Sequence, residues 1–520
     1  MENFKMKELC SLKKDEKVWS TKIFKCFEKF SFILEFLASI FLSALIFKFI
    51  CNYMHFNCVS KTMLVFIVMV SIIILFFIFF NIKKNKKIEN VFLSFMIPLG
   101  IMYATFVLVY KVPDEQAHTY RAYNISNFKI IGDTKLQEES VPTQMRSLED
   151  VANYYDEYQL LNVKADYASQ SDKEFNVCMT YPPLVYIMPS LTFFVCRMLN
   201  INILIAIYLA RISNFIMFLF TGWICLRKIP FGKIAVLVYL FMPMMIHQVA
   251  SISADAFINC ISLAFVTYVL YLKFENEKFD KKRKIIFILL AIGLAFTKHI
   301  YFPIAFIALI LVFDKKLDKK SKAFIIITMA LVTIIAVGWF LFSNVYKDVR
   351  EYILVNEVSL TNQLKYILKN PIKFIDILCS TTFIRGGTYI SQLIGSNLGL
   401  LTIKLNNFVI VLYLLLILVS PFLEKHNYAL NFKERLLFVI IATGIFLLIL
   451  TGLYLSWTSV GKDIIDGVQG RYFIPIAILP LLCLVIRRKN IEIKNVSIYV
   501  ASFAFLINLY AISKIIIFFS

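Results

Sequence analysis

Apolar runs close to the roughly 20 residues a helix needs to cross a bilayer recur from Ser31 to Ile515, and they leave little alternative to a bundle of membrane helices. Each run must satisfy its own backbone polar groups in lipid, which selects helix. Hydrophobic residues make up 59% of the 520 and charged residues 17%, with mean hydropathy +0.74, which excludes an ordinary soluble enzyme. A formal charge of +21 would suggest nucleic acid in a soluble protein. Here Lys and Arg sit in short loops between apolar runs, so the charge reports topology and no nucleic-acid partner is expected. The ten cysteines show no metal-type spacing. Cys51 and Cys58 could pair across one short loop, but there is no disulfide framework. Abundant Ile, Lys, Phe and Asn suggest AT-rich coding and a bacterial plasma membrane. The Lys-rich start before a long apolar run reads as a retained first helix, with no cleavable signal pattern.

Charge asymmetry orders the spans. The Lys-rich residues 1–30 are expected in the cytoplasm, followed by two N-terminal spans within 31–90, near 31–51 and 63–81. A span at 91–110 opens the main membrane domain, 91–515, and leads into an acidic external loop, about 111–202, whose middle reads as mobile. Within that loop Tyr181-Pro182-Pro183-Leu184 starts a short apolar segment that charge counting lays on the outer surface. Spans follow near 203–225, 234–250 and 254–272. Two short pieces, 285–296 and 301–313, read as shallow helices that leave Lys298 in an external depression. A span at 323–343 leads to a second external loop, about 345–406, whose stretch 364–383 is expected on the surface. Spans at 407–423, 436–456, 472–486 and 496–515 complete a predicted all-α bundle of about 13 transmembrane helices, N-terminus inside and C-terminus outside. Arg211 and Glu35 fall within spans, near enough to an end to snorkel.

This topology brings polar groups to the outer boundary. Val112-Pro113-Asp114-Glu115 is expected to begin a helix with Pro113 at its first position, placing Asp114, His118 and Arg121 on one face. His247, Gln248, Ser253 and Asp255 arrive there too, with Ser253 as N-cap. So do Lys298, His299, Asp463, Asp466, Gln469, Arg471 and Tyr472. In Gly467-Val468-Gln469-Gly470-Arg471 the glycines allow close backbone approach to a ligand and the guanidinium suits phosphate oxygens. The plainer readings are boundary charges, a helix cap at Asp255, and Lys298 and Arg471 as interfacial anchors. No nucleotide-binding or metalloprotease motif occurs.

With Pro113-Asp114-Glu115, His118, Arg121, Tyr181-Pro182-Pro183-Leu184, Ser253-Ala254-Asp255, Thr297-Lys298 and Gln469-Gly470-Arg471-Tyr472-Phe473-Ile474-Pro475, the chain resembles a bacterial polytopic membrane family of unknown function that looks related to the GT-C glycosyltransferases. The resemblance covers about 91–515. It implies a GT-C-like helical bundle whose two large external loops carry interfacial helices. It also implies a polyprenyl-phosphate-linked sugar donor, an external glycan or envelope acceptor, and inversion at the anomeric carbon. Asp114 would be the catalytic base or metal-linked acid, with Glu115 as alternate. Arg471 and Lys298 would face the leaving phosphate, His118 and Arg121 would orient Asp114 or bind phosphate, and Asp255 would serve acceptor or metal. No Asp-x-Asp appears in either large loop, so a divalent metal stays open. A transporter or flippase, or a polymerase, of lipid-linked glycans is the alternative. The paired charges and interrupted helices expected of a transporter are not evident.

Overall fold

The computed structural model describes residues 30–50, 73–83, 86–130, 138–172, 174–175, 177–275, 279–344, 358–425, 427–487 and 493–520. The Lys-rich N-terminus, the Cys51–Cys58 loop and the start of the second expected span lie outside them.

Among the described residues the fold is helical apart from two ribbons of two-residue strands, Glu138–Glu139 with Glu174–Phe175 and Asn397–Leu398 with Ile403–Lys404. Its helices are α1 (Phe30–Ile50), α2 (Ile73–Lys83), α3 (Ile88–Phe106), α4 (Glu115–Ser126), α5 (Thr143–Ser147), α6 (Tyr154–Leu160), α7 (Ile187–Met198) and α8 (Ile203–Lys228). Then come α9 (Lys233–Leu240), α10 (Pro243–Val249), α11 (Ala254–Phe274), α12 (Lys281–Ala295), a 3-10 helix His299–Ala308 running into α13 (Leu309–Val312), and α14 (Lys319–Asn344). The chain ends with α15 (Leu360–Lys369), α16 (Pro371–Ile394), α17 (Asn407–Val419), α18 (Phe432–Ser456), α19 (Ile474–Cys483) and α20 (Val496–Phe519).

Among the described residues seven helices are long and apolar enough to cross a membrane: α1, α3, α8, α11, α14, α18 and α20. The chain is a multi-pass membrane protein. Several segments expected as single spans are shorter or broken. Residues 407–423 give a 13-residue helix with a 3-10 turn, and 472–486 give the 10-residue α19.

The expected span 234–250 is two helices parted at Phe241–Met242, because Pro243 has no N–H to continue the ladder and disfavours helical backbone at the residue before it. Backbone groups freed in a membrane domain need other partners. Asn508 of α20 donates to the Phe241 carbonyl at 2.9 Å, and Tyr413 of α17 adds a second donor, at 2.8 Å, to the Val238 carbonyl that already accepts the Phe241 N–H.

The core is built where α8 packs on α3 and α11, with α20 closing against α3. The middle of the first large loop, expected to be mobile, instead docks on this core. Tyr154 donates to the Phe106 carbonyl at 2.7 Å, Tyr110 to the Met145 carbonyl at 3.1 Å, and Asn202 to the Leu160 carbonyl at 2.9 Å. The two N-terminal helices meet through a buried bond from Asn81 to Glu35 at 2.8 Å, so Glu35 does not snorkel.

The basic connections gather at the other end of the bundle. There Lys273 pairs with Glu434 at 2.6 Å, Arg435 donates to the Val485 carbonyl at 2.9 Å, and the Glu424 carboxylate accepts the Lys233 and Ile234 N–H groups at the start of α9. The end of α3 and the starts of α8, α11 and the 299–308 segment lie at the opposite end, and the candidate site forms there.

Candidate functional site

Two adjacent carboxylates follow Pro113, and the backbone sends them to different places. Asp114 has φ +64°, a left-handed conformation uncommon outside glycine, and it caps α4, whose first residue is Glu115. Pro113 therefore lies before the cap and not at the first helical position. Left-handed non-glycine residues concentrate where a site over-determines the backbone.

Glu115 is fully buried against Arg211. Its Oε1 accepts from Arg211 Nε at 2.7 Å and from the Ile252 N–H at 3.1 Å. Its Oε2 accepts from Arg211 Nη2 at 2.6 Å and from the Tyr110 N–H at 3.0 Å. Arg211 also donates to the Ala104, Val107 and Leu108 carbonyls, at and just beyond the end of α3, where helix carbonyls run out of intrahelical donors. This pair is a structural clamp joining α3, α8 and the loop before α11. It removes Glu115 from the candidate catalytic residues, and Arg211 is sealed inside and not snorkelling.

Asp114 is 49% exposed and contacts Arg471, whose side chain is 1% exposed. Arg471 Nη1 reaches Asp255 Oδ2 at 3.4 Å and the Pro113 carbonyl at 3.3 Å, and its Nε donates to Gln469 Oε1 at 2.7 Å. Lys298 Nζ donates to Asp255 Oδ1 at 2.7 Å. Ser253 caps α11 by accepting the Asp255 N–H at 3.1 Å, as expected, and this frees the carboxylate to bridge the two cations. The result is a row of alternating charges, Asp114–Arg471–Asp255–Lys298, with one member half open.

Tyrosines wall this row. Lys298 Nζ lies 5.1 Å from the Tyr181 ring centre and 5.6 Å from that of Tyr472, and Arg471 lies 5.0 Å from Tyr472. Tyr301 donates to the Tyr472 carbonyl at 2.8 Å. His118 stacks on Tyr181 and shares a 2.7 Å hydrogen bond between Nδ1 and the Tyr186 hydroxyl. Burial, reinforced by Lys298, pushes the His118 pKa down to about 3, so the ring is neutral at physiological pH. For Asp114 burial acts upward, but Arg471 and Lys298 together hold the carboxyl below its ordinary range.

Arg471 is held from behind. Gly470 donates its N–H to Gln392 of α16 at 3.0 Å. A Cβ at Gly470 would collide with the Leu393 nitrogen and the Tyr389 carbonyl. The glycine thus serves a close approach to α16 and not to a ligand. Upstream, Thr381 accepts the Ile465 N–H at 3.1 Å and Gln363 accepts that of Gly461 at 3.0 Å.

Not every candidate joins. Arg121 turns away and donates to the Lys129 and Ile130 carbonyls. His299 is exposed, with its ring against Phe340 at 4.4 Å. His247 is buried and accepts from the Gly399 N–H at 3.2 Å. Asp463 and Asp466 pair with Lys373 and Lys462 away from the row. Among the described residues no group of three or more His, Cys, Asp or Glu is arranged to hold a metal. Asp114 and Asp255 already face cations, so this donor set does not suit a resident divalent ion. Tyr181 and Arg211 each carry a sequence signal, one beside Pro182 and the other a charge within an apolar run, though neither signal states the role. Gln392 carries no such signal.

A family of predicted membrane proteins, DUF2142, matches residues 97–480, about three quarters of the chain. The chain belongs to that family. The matched region of this DUF2142 protein holds every member of the charged row and both residues of the Glu115–Arg211 clamp. No curated protein and no solved structure matches it.

Proposed function

We propose that this DUF2142 protein is a membrane glycosyltransferase of GT-C-like design, with the multi-span arrangement inferred from charge. It would move a sugar from a polyprenyl-phosphate-linked donor to an acceptor hydroxyl on the external face of a bacterial plasma membrane. The observation that carries the reading is the half-exposed Asp114 carboxylate, held in left-handed backbone beside Arg471, Asp255 and Lys298.

In this reading the acceptor oxygen attacks the anomeric carbon and gives its proton to Asp114 Oδ. The bond from that carbon to the phosphate oxygen breaks, and the leaving phosphate keeps the electron pair with inversion at carbon. Arg471 and Lys298 face the charge that develops on it. Phosphate binding draws Arg471 away from Asp114, which restores basicity that the free site suppresses. Neutral His118 on Tyr181 supports the aromatic wall without adding a competing cation.

The test is full-length protein in liposomes supplied with polyprenyl-phosphate sugars and envelope glycan fragments, scored by release of polyprenyl phosphate. Wild type is expected to release it, and Asp114→Asn to insert normally and release none. Undiminished release by Asp114→Asn would discard the assigned base.

One structural feature favours a second reading, transport of a lipid-linked glycan: the helix interrupted between α9 and α10, near the sealed Glu115–Arg211 pair. A transporter would carry a fluorescent polyprenyl-linked glycan across the same liposomes with no polyprenyl phosphate released.

A further inference from the structure

Asp255, a member of the charged row, opens a polar stripe on α11 whose later members the row does not use. At about 100° per residue, Asp255, Asn259 and Ser262 fall within about 60° of one another and span about 10 Å along the helix. Asn259 is 2% exposed and Ser262 is 0% exposed. Neither Asn259 Oδ1, Asn259 Nδ2 nor Ser262 Oγ has a hydrogen-bond partner. Ser262 could turn back onto the carbonyl four residues earlier, as Thr105 and Thr192 do, and it does not. Gln248 Oε1, on α10 packed against α11, is also unpaired. Elsewhere the same helix buries Ile258, Leu263 and Val266, so apolar side chains suit the environment. An amide with both ends unpaired in a membrane domain is strongly unfavourable unless something else bonds it.

We infer that the site continues inward from Asp255 as a slot that binds hydroxyl groups through Asn259 and Ser262. The chemistry of the lining decides the ligand class. An amide and a hydroxyl offer both donors and acceptors and no charge, which matches groups that donate and accept at once. Phosphate, carboxylate or a cation would each leave half of these atoms unmatched. Two sources carry hydroxyls: water, and the ring of a sugar. The sugar source rests on the transferase reading; the slot itself does not.

The experiment uses the full chain in nanodiscs with its ten cysteines replaced and a single cysteine introduced by Asn259→Cys, Ser262→Cys or, as control, Leu263→Cys. A small water-soluble methanethiosulfonate is expected to modify positions 259 and 262 at least ~10-fold faster than 263, because only a hydrated slot admits it. Equal rates at the three positions, or no reaction at 259 and 262, overturn the slot. Two synthetic lipids then separate the sources. Slower modification with polyprenyl-phosphate glucose but not with polyprenyl phosphate assigns sugar hydroxyls, and no protection by either assigns water. On the native chain, Asn259→Leu is read by thermal unfolding. A lowered or unchanged Tm supports a bonded amide, and a raised Tm marks a dry orphan and overturns the slot. Labelling at 259 and 262 would stand even if Asp114→Asn retained full transfer.

Discussion

Glu115 and Arg211 share a two-pronged ion pair sealed from solvent, one residue along the chain from a carboxylate that is half exposed. The left-handed turn at Asp114 produces this division. One acid is spent on holding three segments together and its neighbour is left open to a ligand.

The two acids should therefore fail differently. Glu115→Gln leaves Arg211 charged and underpaired in the interior, which costs about 3–5 kcal/mol. A large fall in Tm in detergent is expected. Asp114→Asn keeps a residue that tolerates left-handed backbone, and it leaves Arg471 with Asp255, Gln469 and the Pro113 carbonyl. Its Tm is expected near wild type, and a comparable fall in both variants would refute the division.

Lys298 and Asp255 should behave as one unit. Lys298→Met leaves Asp255 with Arg471 alone, and Asp255→Asn leaves Lys298 without its acid partner. Each single change is expected to lower Tm, and the double change to lower it by less than the sum, with a coupling of about 0.5–3 kcal/mol. Strict additivity in this cycle would show that the pair contributes nothing.

Gly470→Ala drives a Cβ into the backbone of α16 and should cost about 1–3 kcal/mol. Gly387→Ala, in α16 with nothing near its Cβ, is expected to leave stability equal or raise it by about 0.5–1 kcal/mol. Thermal unfolding of the two variants side by side checks the contrast.

Glu157 is buried in the docked part of the first large loop. Its Oε1 accepts the Val109 N–H at 3.0 Å. Burial pushes its pKa up to about 7, against the downward pull of Val109, Arg211 and Tyr208, with Glu115 adding to the rise. A carboxyl whose folded pKa exceeds its unfolded one binds its proton more tightly in the folded state. Its contribution is thus complete below about 4.5 and is lost as pH climbs toward 7, a few kcal/mol at most. Hydrogen exchange across residues 138–172 is expected to quicken between those values, and Glu157→Gln to flatten that rise.

Much of the charged row was legible because alternating topology sends distant polar groups to one end. Asp114, Asp255, Lys298 and Arg471 share that end for this reason, and they meet. Sequence could not tell Glu115 from Asp114, since a single left-handed residue decides which way each points. Helical spacing grouped Arg121 with His118, yet its long side chain caps the carbonyls of a nearby loop instead. The break at Pro243 was visible in principle. A 17-residue hydropathy run hides it, because Tyr413 and Asn508 supply donors to the interrupted backbone from remote helices.

The attachment of Gly461, Ile465 and Gly470 to Gln363, Thr381 and Gln392 has a mechanical corollary. α15 and α16 turn Leu364, Ile372, Phe383 and Ile384 outward, away from the protein. Arg471 therefore hangs from a bracket whose outer side belongs to the surroundings. A push on that outer side would be passed through Gln392 to Gly470, the neighbour of Arg471.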